Sequence, residues 1–128
     1  MSDLSDYLEN KLLDHVLRNS AYTPPAAVYV GLYTVAPTDA AGGTEVSGSG
    51  YAREVVTFGS AASGGTIANT AAVAFTAAGG DFGDIVAIGV FDAASAGNLL
   101  LWKAVPATTI NDGDTANFPI GDIDVTLA

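Results

Sequence analysis

"IVAIGVFDAASAGNLLLWKAV" (residues 85–105) is the stretch that sets the fold. Residues 85–92 are apolar at odd and even positions alike, and a strand apolar on both faces belongs in the middle of a sheet. The connection at 93–97, "AASAG", is short and built of small residues. Residues 98–105, "NLLLWKAV", then return apolar. Two such runs across a short turn predict a β-hairpin.

Outward from that hairpin the chain keeps the same punctuation. Upstream, "AAVYVGLYT" (26–34) alternates Val28, Val30 and Leu32 against Tyr29, Gly31 and Tyr33. "YAREVVTF" (51–58) predicts another strand, and "TIANTAAVAFT" (66–76) one interrupted strand or two short ones. Turns are predicted at 60–65, 77–84 and 111–114, where glycine and aspartate cluster. Downstream, "TANFPI" (115–120) and "DIDVTLA" (122–128) close the chain, with Ile123, Val125 and Leu127 on one face. About eight short strands at turn spacings of roughly 8–15 residues predict an all-β, two-sheet antiparallel sandwich, jelly-roll or Greek-key in topology. The loop at 35–50, with its proline and four glycines, exceeds ordinary connection lengths. Loops of that length are commonly functional, or ordered only on binding.

One segment breaks the pattern. "LSDYLENKLLDHVLRNSAYTPP" (4–25) predicts a helix. Ser2 or Asp3 suits its N-cap, and Asp6 and Glu9 precede Lys11, His15 and Arg18, the order that complements the helix dipole. Leu4, Leu8, Leu12 and Val16 recur at every fourth position, and Leu13 and Leu17 widen the stripe. Asn19 suits the exit, and Pro24–Pro25 forbid continuation. The expected organisation is a helix and connector over 1–23 and a sandwich domain over 24–128. The apolar arc is wider than one docking face requires. It predicts a helix that covers an edge or face of the sandwich and also contacts another subunit. The expected anchors are Leu4, Tyr7, Leu8, Leu12 and Val16; Arg53 is placed with this interface as a charge that pairs a partner's acid, the alternative being an ordinary surface charge.

Composition narrows the function. Fourteen acids against four Lys and Arg give a formal net charge of −10. Such a surface repels phosphate, which argues against nucleic acid and anionic membrane as partners. The chain shows no basic leader followed by an apolar run, and no stretch of the roughly 20 apolar residues a spanning helix needs. With no cysteine and one histidine, His15, the usual zinc sites are excluded. Asp112, Asp114, Asp122 and Asp124 lack the spacing of a calcium loop and read as turn acids. "SGSGYA" (47–52) has neither the lysine nor the following helix of a phosphate loop. Glu54 and Asp84 are not placed together by any spacing, so acid–base chemistry has no support. Lys103 reads as a surface or partner-facing charge. The residues therefore point to a protein that is not an enzyme and uses no cofactor or metal. Aromatics at 29, 33, 51, 58, 75, 82, 91, 102 and 118 are expected mostly in the core. A glycan-binding module would instead expose Tyr33, Tyr51, Phe82 or Trp102.

The order of "NKLLDH" (10–15), "PPAAVYVGLYTVAPTD" (24–39), "GYAREVV" (50–56), "GVFDAASAGNLLLW" (89–102) and "DGDTANFPIGDIDVTLA" (112–128) resembles a family of small bacteriophage virion proteins. They are often labelled tail fibre proteins, and in some phages they look like head decoration or cement proteins. The resemblance implies a binding role without catalysis. A cement protein sits on the capsid exterior, bound to the major capsid protein, commonly as a homotrimer, after synthesis in the host cytoplasm. The chain is too short for a fibre shaft, which favours decoration. The alternative is a fibre- or vertex-associated adsorption module for host surface glycan. The loop 35–50 or the turn 93–97 is expected to touch the shell or a neighbouring trimer.

Overall fold

The structure is a computed structural model and describes residues 3–61 and 64–127. In chain order the elements are β1 (Asp3–Leu4), α1 (Asp6–Leu17), β2 (Val28–Val35), β3 (Thr44–Glu45), β4 (Glu54–Val56), β5 (Thr66–Ala68), β6 (Val73–Thr76), β7 (Gly83–Phe91), β8 (Leu99–Ile110), β9 (Thr115–Phe118) and β10 (Asp124–Thr126). The fold is all-β with one N-terminal helix.

The expected hairpin is β7–β8, and it forms the middle of a six-stranded sheet ordered β1-β8-β7-β2-β3. β4 also pairs β2, on the edge that β3 shares. β7 is apolar from Ile85 to Phe91, and it is buried from Ala87 onward, where β8 and β2 flank it. Its even residues Ile88 and Val90, with Val30 and Leu32 of β2, face the second layer. Its odd residues Ala87 and Phe91 join Tyr33 and Leu99 in a smaller cluster on the opposite face.

The second layer is a single ribbon broken in the middle rather than a full second sheet. β5 pairs β10 and β6 pairs β9, running from Thr66 opposite Thr126 to Thr76 opposite Thr115. The break falls at Asn69, which is 2% exposed. Its Nδ2 donates to the carbonyls of Ala71 and Pro119, and its Oδ1 accepts from Ile123 N–H. The ladder is interrupted here, and the Asn69 side chain satisfies three backbone groups left over at the break. Val73, Phe75 and Ile123 point from the ribbon into the core.

Several local expectations change. The N-cap is Ser5, not Asp3, which belongs to β1; Ser2 lies outside the described residues, as do Ala62 and Ser63 of the expected turn and Ala128 of the last expected strand. Among the described residues ten strands form where about eight were expected, the additions being β1 and β3 of two residues each. β8 continues past residue 105 through Pro106 to Ile110. Pro106 is tolerated because the register slips there, with residues 105–107 opposite Val86 alone. The long loop is ordered: Pro37 and Val46 are buried, and Val46 N–H donates to the Leu32 carbonyl.

Candidate subunit-docking surface

Helix α1 is held firmly at one end. Ser5 is 1% exposed; its Oγ accepts from Leu8 N–H and donates to the Leu99 carbonyl. Its own N–H donates to Leu100 O at 2.9 Å, and Asp6 N–H donates to Asp39 O at 2.8 Å. The first turn is thereby tied both to the sheet and to the long loop. At the other end Asn19 takes φ +56°, and Arg18 and Ser20 N–H both return to the Asp14 carbonyl. Tyr22 N–H then donates to His15 Nδ1 at 3.1 Å, which fixes the chain leaving the helix.

Between those ends no residue of α1 is buried. Leu8 and Leu12 are half-buried. With Leu4 they form one wall of an almost wholly apolar groove of about 300 Å³. Ile67, Val125 and Leu127 of the ribbon and Leu101 of β8 form the other wall. Leu13, Val16 and Leu17 turn away from this groove and are 56%, 70% and 74% exposed. Scattered exposed leucines are ordinary, but three large apolar side chains together on the last turns of one helix are a contiguous patch.

The expected anchors therefore divide. Leu4, Leu8 and Leu12 dock the helix on its own domain. Tyr7 lies half-buried on another flank, beneath Lys11 Nζ at 5.7 Å from its ring centroid. Val16 is left exposed, and so are Leu13 and Leu17, which the sequence placed only at the margin of the stripe.

Arg53 is engaged inside the chain. Its side chain is 9% exposed, with Nη2 2.8 Å from Glu45 Oε1 and Nε 2.9 Å from Oε2. Nη1 donates to the carbonyls of Ala93 and Ala96 at 2.9 and 2.8 Å. The guanidinium lies 3.5 Å from the centroid of the Phe91 ring. Glu45 Oε2 also accepts from Tyr51 Oη at 2.6 Å, and Tyr51 Oη accepts from Leu32 N–H. Burial, then the Glu45 hydrogen bond, pushes the Tyr51 phenol well above its ordinary range. Burial also pushes Tyr33 up to about 12. Gly31 is required here, since a Cβ would stand 2.7 Å from Glu45 Oε2 and 2.9 Å from Phe91. This buried pair rigidifies the 93–97 turn from below, while Ala94, Ser95 and Ala96 stay exposed. Nothing local in the sequence signals it, because the carbonyl partners lie 40 and 43 residues away.

The aromatic rings that a glycan platform would expose are taken inward. Tyr33 and Phe82 are 4% and 6% exposed, Tyr51 is half-buried, and Trp102 packs against the smaller cluster with Nε1 donating to Asp39. Among the described residues no group of three or more His, Asp or Glu side chains is placed to hold a metal ion, and no helix is long and apolar enough to cross a membrane.

A pinned sandwich, a rigid turn and a helix with one bare apolar flank define a structural subunit. Residues 3–126 match the family model described as Podophage GP4 fiber I protein gp80, so the chain belongs to that family of phage structural proteins. No curated protein matches the chain.

Proposed function

We propose that this protein is a non-enzymatic, fibre-associated subunit of the phage particle, attached through the outer flank of α1. The observation that carries the reading is the trio Leu13, Val16 and Leu17, left exposed on a helix whose first turn is locked in place. Covering what these three side chains expose is worth roughly 3–6 kcal/mol before association costs. The family's description as a fibre protein supports a fibre position. The rigid 93–97 turn and the tip of the long loop supply further contacts.

A second reading, capsid decoration on the major capsid protein as a homotrimer, draws support from the compact shape. Every strand packs into one two-layer body, with no elongated shaft among the described residues. Copy number per particle separates the two. Quantitative mass spectrometry of purified virions should find tens of copies at most for a fibre-associated subunit. Hundreds per particle would favour the shell instead. Loss of residues 1–20 should remove the protein from particles, and a truncated chain that still co-purifies at full stoichiometry would refute attachment through α1.

A further inference from the structure

We propose that the outer flank of α1 docks a different virion protein, one presenting an apolar groove bordered by Lys or Arg, and not a second copy of this chain. The inference rests on the attachment reading above and names its partner by chemistry. Helical spacing of three and four residues puts Asp6, Glu9, Leu13, Val16 and Leu17 on one flank. The helix's cations stand on the opposite flank, in the series Tyr7, Lys11, Asp14, Arg18. Both are already engaged there: Lys11 lies over Tyr7 at 5.7 Å, and Arg18 Nη1 is 3.0 Å from Asp14 Oδ1. No ion pair reaches Asp6 or Glu9 among the described residues. The apolar flank is thus headed by two carboxylates that complement the helix N-terminus but have no ion-pair partner among the described residues.

A second copy has little positive charge to bring to them. The chain holds only four Lys and Arg. Besides the helical pair, Arg53 is buried against Glu45, and Lys103 Nζ lies 3.6 Å from Asp124 Oδ1. Self-contact through this flank would set Asp6 and Glu9 of one copy against an acidic surface, between chains of net charge −10. A groove with a basic rim satisfies both the leucines and the acids.

The test uses assembled particles. A photoreactive benzophenone amino acid at position 17 is carried in the full chain through phage assembly and then irradiated. Asp6→Lys/Glu9→Lys is compared in parallel with Lys11→Gln on the opposite flank, each checked for a native circular dichroism spectrum. The expected adduct joins position 17 to another virion protein, at a segment flanked by Lys or Arg. The double reversal should lower retention in particles at least tenfold, with Lys11→Gln retained as wild type. An adduct between two copies overturns the proposal. So does retention of the double reversal at the wild-type level, or absence of any adduct from particles that carry the chain. Absence of the wild-type chain from purified virions would instead remove the attachment reading, and this inference with it.

Discussion

Replacing Arg53 by alanine removes a bidentate contact to Glu45, two hydrogen bonds to the 93–97 turn and a cation stacked on Phe91. What it leaves behind matters more than what it takes away. Glu45 keeps its charge in a site that is 24% exposed, and the Ala93 and Ala96 carbonyls lose their donor. Breaking a buried pair by removing one partner costs about 3–5 kcal/mol. The water that still reaches Glu45 lowers the expected loss to about 2–4 kcal/mol. A domain of this size has about 5–15 kcal/mol of stability in total, so Tm should fall by roughly 10 °C. Urea unfolding followed by the single tryptophan, Trp102, measures this directly. Arg53→Met/Glu45→Met, taken through a double-mutant cycle, should recover part of the loss, because no charge is then stranded. A change below about 1 kcal/mol for Arg53→Ala, with the m-value unchanged, would show that the pair is solvated in solution and that the turn does not depend on it.

Ser5→Ala should cost about 1–2 kcal/mol through the lost cap and the unpaired Leu99 carbonyl, and hydrogen exchange should speed up first at residues 6–9. Asn69→Ala strands the carbonyls of Ala71 and Pro119 and the Ile123 N–H, so about 3 kcal/mol or more should be lost in denaturant titration. Alkaline pH should destabilise the fold, since Tyr33 and Tyr51 ionise in the native state only above the unfolded phenol's pKa of about 10. Their contribution is therefore complete below about pH 10 and declines as pH rises, with Tyr33 alone worth about 2–3 kcal/mol by about pH 12. Phenolate absorbance against pH, native versus in urea, checks this by the separation of the two titration curves.

The sequence by itself determined the β7–β8 hairpin, the helix and the acidic, cysteine-free composition, because each rests on a local pattern: continuous apolar runs across a small-residue turn, a four-residue leucine repeat, a count of charges. It also carried the Asn19 exit, since a left-handed residue after a helix is a local steric preference. Strands of two residues such as β1 and β3 carry no periodicity to detect, and Ser5 was hidden among neighbours equally able to cap. Tertiary structure alone decided how the leucine stripe divides, with Leu8 and Leu12 turned to the ribbon and Leu13, Val16 and Leu17 left outside. It also turned Arg53 from an expected partner contact into an internal clamp. Both outcomes depend on groups that come together only when the sheet closes, and a side chain's partners across 40 residues leave no trace in its own neighbourhood.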